Sequence, residues 1–306
     1  MFLFFNHSSY VSYLLQIIII IETVHGRNIQ QHPSHPHGGY KIEDSDINDG
    51  INATTIRKYC NIPIFDLNRH SIEQIQSSCF NAHRPCIINN VKHQYKNPIT
   101  NEMINLYDEF NKTNFINKYG KLILRQNSPS EVPFSLPTGE ATSVKKFFQD
   151  GIHQQKFIFG LLHILQQDNE EKNPELFQRF KNIIQHTKQI NKDGTEIFEH
   201  FSLPKRKDAN EKGRSHIISL GGTGGGITYH DHGATILNLI HGIKIWYLYK
   251  PGTRSNRIHQ QSNHFFKSNW KTVSWHDSNK EEIPIICAQR GGSTLYLPQF
   301  WAVCVF

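Results

Sequence analysis

His230 and His232 form the clearest metal-ligating pattern in this sequence. They lie two positions apart in the segment Ile227 to His232, which follows a glycine-rich run and is predicted to be a β-strand. Alternate residues of a strand face the same side, so the two imidazoles would converge and Asp231 would face the other way. A pair of structural histidines gives the same pattern in a chain with 19 histidines. The residues alone therefore leave both interpretations open.

The elements that would position these histidines are short strands separated by glycine turns. The pattern predicts strands at 216–220, 227–232, 235–240, 244–249, 283–287 and 293–297. The strands at 235–240 and 244–249 are expected to form a hairpin that turns at His241-Gly242. Many short strands without intervening helices favour an antiparallel sandwich or barrel.

Two helices are predicted upstream of these strands. Asn173-Pro174-Glu175 is a typical helix start, and the apolar residues that follow it share one face: Leu176, Phe180, Ile183 and Ile184. A second helix-like pattern runs from Met103 to Phe110.

Three motifs resemble the JmjC family in order and spacing. They are residues 224–233 (GGGITYHDHG), residues 240–251 (IHGIKIWYLYKP) and residues 290–298 (RGGSTLYLP) followed by Trp301. The resemblance is strong from Ile218 to Trp301 and extends weakly upstream to Cys60. It is closest to a group within the family whose members are lumenal in the endoplasmic reticulum.

The resemblance implies a mainly β fold, a double-stranded β-helix of the jelly-roll or cupin-like JmjC barrel type with flanking helices. Active members hold Fe(II) through two histidines and a carboxylate, with 2-oxoglutarate beside the metal. His230 matches the first ligand, His232 stands where active members have Asp or Glu, and Val303 stands at the position of the last histidine. Lys244 matches the basic residue that holds the distal carboxylate of 2-oxoglutarate.

These departures make the metal site incomplete as written, so Fe(II) is expected to bind weakly. A bulge near Gly225-Gly226 would be needed to turn Asp231 inward. The chain also ends before the strands that close the family's barrel, so the last strands are expected to be missing and the chain poorly folded. Residues 302–306 are interpreted as a shifted reading frame or a shortened isoform.

The resemblance therefore predicts a JmjC-domain protein with degenerate or no oxygenase activity that acts through protein binding. The alternative is an Fe(II)/2-oxoglutarate-dependent protein hydroxylase whose last ligand is missing from this version of the chain. Either way the expected partner is a protein partner or a protein substrate. Nucleic acid is not expected, because the net charge of +7 comes from basic residues scattered among acidic ones.

The N-terminus predicts entry into the secretory pathway. Val11 to Ile21 is an apolar run of signal-peptide length, so residues 1–26 are predicted to be a signal peptide, with a signal anchor as the alternative. Residues 27–58 are expected to be a disordered leader. Residues 59–306 would form the JmjC/cupin-like domain, with a polar insert at 188–212 and the metal-site half at 215–301.

Other features agree with the endoplasmic reticulum lumen or secretion. Sequons at Asn52 and Asn111 predict N-glycosylation. Some of the five cysteines should pair in an oxidising lumen, and the odd number leaves at least one unpaired. Beyond Ile21 no apolar run approaches membrane length, so no membrane span is expected after signal cleavage.

Overall fold

The computed structural model describes residues 13–18, 60–127, 139–151, 156–191, 193–197, 214–221, 227–231, 234–251, 285–299 and 301–305. This part of the chain is mainly β, as the strand pattern predicts, with several antiparallel pairings and a few helices. Its strands form a nine-stranded, a four-stranded and a three-stranded sheet.

The nine-stranded sheet contains β1 (Tyr13–Ile18), β2 (Ile64–Asp66), β3 (Cys86–Asn89), β6 (Ile123–Asn127), β7 (Glu140–Ser143), β8 (Phe157–Leu161), β10 (Arg214–Gly221), β12 (Thr235–Leu239) and β15 (Ser293–Leu297). Their order in space is β2-β3-β15-β12-β1-β10-β8-β6-β7. The four-stranded sheet contains β11 (Ile227–Asp231), β13 (Ile243–Tyr249), β14 (Ile285–Arg290) and β16 (Ala302–Val305), in the order β11-β16-β13-β14. The three-stranded sheet is formed by β5 (Met103–Asn105), β4 (Lys92–Lys96) and β9 (Lys188–Ile190), in that order.

The helices of the described residues are short, apart from the last. They are α1 (Ile72–Ile75), α2 (Leu106–Glu109), α3 (Lys112–Tyr119), α4 (Val144–Lys146), α5 (Leu162–Asn169) and α6 (Pro174–His186). Helices α1 and α4 continue into π-helical turns over Gln76–Phe80 and Phe147–Gly151.

An inter-sheet core joins the nine-stranded and the four-stranded sheets. Apolar side chains from both sheets make one buried cluster: Leu237, Leu239, Leu295 and Leu297 from the larger sheet, with Trp246, Leu248, Ile285, Cys287 and Val303 from the smaller one. Burying an apolar side chain of this size stabilises the fold by about 1.5–3 kcal/mol. The two sheets therefore pack face to face.

The hairpin expected between residues 235–240 and 244–249 is wrong. Strand β12 pairs with β1 and β15 in the larger sheet, whereas β13 pairs with β14 and β16 in the smaller one. The turn at His241-Gly242, where Gly242 has φ 79°, carries the chain from one sheet to the other. Apolar strands joined by a glycine turn look alike in a hairpin and in such an arch, so the local pattern could not tell them apart.

A second arch at Gly291-Gly292 returns the chain from β14 to β15. The two arches touch, because the Gly291 N–H donates to the Gly242 carbonyl at 2.8 Å and the Gly292 N–H donates to the Leu239 carbonyl at 2.8 Å. A Cβ on Gly291 would lie 3.0 Å from the Ile240 carbonyl oxygen. Glycine at 291 therefore lets the arches approach each other closely.

Helix α6 begins as predicted, with Asn173 before Pro174 at the first helical position. It buries Phe177, Phe180, Ile183 and Ile184, and Leu176 packs partly buried at the edge of the same cluster. The predicted helix from Met103 to Phe110 is only half right, because Met103–Asn105 pairs with β4 as a strand and α2 starts at Leu106. Asn105 separates the two elements: its side-chain oxygen accepts from the Tyr107 N–H at 3.1 Å and caps the helix.

The N-terminal apolar segment takes part in the larger sheet. Strand β1 lies inside the predicted signal peptide and pairs in parallel with both β10 and β12. The signal peptide itself stays a prediction. The predicted leader at 27–58 lies outside the described residues. Of the predicted polar insert, Lys188–Ile190 forms β9 and Ile197 is fully buried, while residues 198–212 lie outside the described part.

Two disulfides confirm the expectation that cysteines pair. They are Cys60–Cys287 and Cys79–Cys86. Cys60 precedes β2, an edge strand of the larger sheet, and Cys287 lies on β14, an edge strand of the smaller one. The first disulfide therefore joins the two sheets covalently. Within the described ranges, none of the helices has the length and apolar character needed to cross a bilayer.

Candidate functional site

Lys244 is a buried ammonium inside the two-sheet assembly. Only 3% of its side chain is exposed, and its Nζ lies 4.4 Å from the centroid of the Trp246 ring. Burial lowers the pKa of the Lys244 ammonium to about 7. No Asp or Glu among the described residues forms an ion pair with it, so the cation–π contact is the electrostatic partner that the structure gives it. A buried cation without a carboxylate partner is costly unless it is neutralised or paired, so Lys244 is a candidate site for an anion.

Gln289 holds the aromatic partner of Lys244. The Trp246 Nε1–H donates to Gln289 Oε1 at 2.9 Å, and both side chains are buried. Gln289 Nε2 donates to the Leu237 carbonyl at 2.9 Å and to the Ser293 carbonyl at 3.2 Å, both in the larger sheet. The glutamine was not singled out from the sequence, since its role depends on partners from separate strands.

His230 lies in β11, opposite Val303 of β16. The ladder between these strands has one irregularity, between Ile227 and His230, where β11 contains an extra residue. After it the pairing is regular, with His230 opposite Val303 and Asp231 opposite Ala302. The bulge therefore exists close to the expected place, but positions 230 and 231 keep the ordinary alternation relative to β16.

Val303 occupies the register position that a ligand shared with His230 would need. Its side chain is fully buried in the inter-sheet core, and it also lies opposite Leu248 of β13. A valine has no lone pair to offer a metal ion. Across the described ranges, groups of three or more His, Cys, Asp or Glu side chains suited to a metal are absent. Val303 therefore supplies no third ligand beside the predicted pair His230 and His232.

The imidazoles of His230 and His232 lie outside the described part of the chain, so their assignment as metal ligands stays a prediction. The same applies to glycosylation at Asn52. Residues 302–305, interpreted from the sequence as a shifted reading frame or shortened isoform, form β16 between β11 and β13. This tail is therefore a central strand of the smaller sheet.

Asn111, the other predicted glycosylation site, is the N-cap of helix α3. Its side-chain oxygen accepts from the Asn114 N–H at 2.9 Å, and its Nδ2 donates to the Asp108 carbonyl at 2.8 Å. The side chain is half-exposed. Attachment of a glycan is not tested by this geometry and stays a prediction, but the cap has a structural role of its own.

A buried polar cluster centres on Asn238 of β12. The Asn238 side-chain oxygen accepts from the Thr294 hydroxyl at 2.8 Å, and His93 Nε2 lies 3.2 Å from the same oxygen. Burial lowers the pKa of His93 to about 4, so this imidazole is neutral at physiological pH. The cluster connects β4 to the larger sheet and is separate from Lys244. Thr294 and His93 gave no local sequence signal.

His241, expected to be only a turn residue, also anchors its arch. Its Nε2–H donates to the Tyr107 carbonyl at 2.7 Å, and the two rings lie 4.2 Å apart. Burial lowers the pKa of this imidazole. The arch between β12 and β13 is therefore fixed to helix α2.

Comparison with known proteins gives a partial match. No family model matches this chain. Human JmjC domain-containing protein 8 is 29% identical over 112 residues, which are 34% of this chain and 38% of the human protein. The mouse protein of the same name is 26% identical over 110 residues, 34% of this chain and 37% of that protein. The matched region spans little more than a third of these curated relatives. The comparisons thus support a JmjC-like relationship that is carried by about a third of the chain.

Proposed function

We propose that this chain is a JmjC-like double-stranded β-helix protein of the endoplasmic reticulum lumen or secretory pathway that binds a 2-oxo acid through Lys244 without turning it over. The observation that carries the ligand is the buried Lys244 ammonium, which lacks a carboxylate partner among the described residues. A dicarboxylate such as 2-oxoglutarate would supply that partner through its distal carboxylate. Strands β10 to β13 alternate between the two sheets, and so do β14 to β16, which supports the double-stranded β-helix.

The lack of catalysis is supported by position 303. A neutral, fully buried valine stands opposite His230, so Fe(II) would lose one ligand. His232, in place of the family's Asp or Glu, would also leave the site without a carboxylate charge. Without a complete metal site the bound oxo acid has a structural or regulatory role, and the protein acts through a protein partner. The lumenal location rests on the sequence of residues 1–26 and on the sequons.

Calorimetry with 2-oxoglutarate tests the ligand. We expect the wild-type chain to bind it, Lys244→Met to lose binding, and Lys250→Met to keep it, because Lys250 is exposed at the end of β13. Equal affinities for the wild type and Lys244→Met would refute the assignment of Lys244.

Titration with Mn(II), or with Fe(II) under anaerobic conditions, tests the metal. Weak binding to the wild type and stronger binding to Val303→His are expected, with Val303→Leu as a size control that adds no ligand. Micromolar metal binding by the wild type, accompanied by succinate release from 2-oxoglutarate, would instead favour an Fe(II)/2-oxoglutarate-dependent hydroxylase. N-terminal sequencing and glycosidase treatment of material from the secretory pathway test the location, and an unprocessed cytosolic protein would contradict it.

A further inference from the structure

Gln289 lies opposite Lys244 in the β13–β14 ladder. Residues directly opposite each other in an antiparallel pair have their Cβ atoms about 4.5–5.5 Å apart and face the same side. Both side chains are buried, Gln289 completely and Lys244 to all but 3%. The residue opposite the buried ammonium is thus a neutral amide and not a carboxylate.

The amide of Gln289 has one orientation that satisfies its partners. Its oxygen accepts from Trp246 Nε1–H, and its NH2 group donates to two carbonyl oxygens, of Leu237 and Ser293. A flipped amide would place an oxygen against two carbonyl oxygens and an NH2 group against an N–H donor. The three hydrogen bonds therefore fix the Trp246 indole relative to both sheets.

The Lys244 ammonium makes its cation–π contact with this fixed indole, with Nζ 4.4 Å from the ring centroid. A lysine side chain has four rotatable bonds, so holding its ammonium at one place costs conformational entropy, which the contact with the indole offsets. The chain of contacts runs from the carbonyls of β12 and β15, through Gln289 and Trp246, to the ammonium.

We propose that Gln289 is a positioning residue of the anion site. It positions the Lys244 ammonium by fixing the Trp246 indole. Because the Gln289 amide is neutral, that ammonium stays available to the carboxylate of a ligand. This inference rests on the proposed oxo acid function for its ligand, while the effect of Gln289 on Lys244 itself can be measured without any ligand.

The decisive variant is Gln289→Glu, which keeps the size of the side chain and adds an internal carboxylate. The proton titration of Lys244 is followed by NMR of the full chain with ¹³C-labelled lysine, and the resonance is assigned with Lys244→Met. We expect Gln289→Glu to raise the titration midpoint of Lys244 by about one pH unit or more, because a nearby carboxylate favours the charged amine. Affinity for 2-oxoglutarate should fall about tenfold or more, since the ammonium then has a partner and the new charge repels the ligand.

Trp246→Phe is the second variant, because it keeps an aromatic ring and removes the N–H that Gln289 holds. It should shift the Lys244 titration and weaken 2-oxoglutarate binding several-fold. The matched control is Gln189→Glu, a carboxylate placed on another buried glutamine, in β9 of the three-stranded sheet. This control should lose stability without changing the titration of Lys244.

An unchanged Lys244 titration in Gln289→Glu overturns the positioning inference, whatever the affinity for the ligand. If that variant does not fold, an unchanged titration and affinity in Trp246→Phe overturns it equally. A shifted titration in a protein whose wild type fails to bind 2-oxoglutarate supports the positioning role and refutes the proposed ligand, so the two failures are distinguishable.

Discussion

Lys244 should make the stability of the folded chain depend on pH between about 7 and 10.5. Burial lowers the pKa of its ammonium from the ordinary 10.5 to about 7 in the folded state. Within this window the unfolded chain binds the proton more tightly than the folded chain, so the free energy of unfolding rises as the pH rises. One pKa unit corresponds to about 1.36 kcal/mol, and the part of the shift that lies between pH 7 and pH 9 amounts to about 2 kcal/mol.

The assay is urea unfolding of the ligand-free wild type and of Lys244→Met at pH 7, 8 and 9 under non-reducing conditions. Other groups titrate in both proteins, so the informative quantity is the difference between their free energies of unfolding. Lys244→Met should be the more stable protein at pH 7, and its advantage should shrink by about 2 kcal/mol at pH 9. Lys250→Met serves as the control, because that side chain is exposed and its removal should leave the pH dependence unchanged.

Saturating 2-oxoglutarate provides an internal check. A bound carboxylate stabilises the charged amine, so the advantage of Lys244→Met at pH 7 should disappear in its presence. If the difference between the two proteins is the same at pH 7 and pH 9, the ammonium is not held unpaired in an apolar interior, and the reasoning that leads to the anion site is refuted.

Three further predictions concern other parts of the fold. Asn111→Ala should destabilise the chain by about 1 kcal/mol and Asn111→Asp much less, because aspartate keeps the cap of α3; equal losses of stability would exclude the capping role. Both variants should remove any glycan at this position, seen as a gel shift. Replacing both cysteines of the Cys60–Cys287 disulfide by serine should lower the free energy of unfolding in urea by about 3 kcal/mol more than the same change at Cys79–Cys86, because the first disulfide spans 227 residues and the second 7. A smaller cost would show that the sheets hold together without it. Glu109→Gln should cost about 2 kcal/mol at pH 7. Hydrogen bonds and charges from neighbouring Lys, Tyr and Arg side chains outweigh the effect of burial and lower the pKa of Glu109, so this cost should disappear as the pH falls through the lowered pKa; a cost that persists in acid would contradict this.

The local pattern of the sequence predicted the strands well and their partners poorly. Alternation and glycine turns are properties of neighbouring residues, and so the strands at 214–221, 243–249 and 293–297 lie where the pattern predicts them. Which sheet a strand joins depends on contacts far along the chain. The arch at His241-Gly242 was therefore read as a hairpin.

The candidate site likewise contains residues that the sequence could identify and residues that it could not. Lys244 was recognised from a family resemblance, and it is buried. Gln289 was missed because its importance comes from hydrogen bonds to Leu237, on a strand 52 residues away. The polar cluster of His93 and Thr294 joins positions 201 residues apart, a distance at which no periodicity gives a signal.

The central place of β1 in the larger sheet has a consequence for the order of events during synthesis. Its two partners, β10 and β12, are made roughly 200 residues after it, which at about 5–20 residues per second leaves about 10–40 s in which β1 has been synthesised and the strands that flank it have not. Any machinery that recognises an apolar N-terminus acts in that interval, before the sheet can compete for the same residues. A chain that is processed at Gly26 would then begin folding with β10 and β12 as two facing edges. The timing of processing, more than the stability of the sheet, would decide whether β1 finally lies between them.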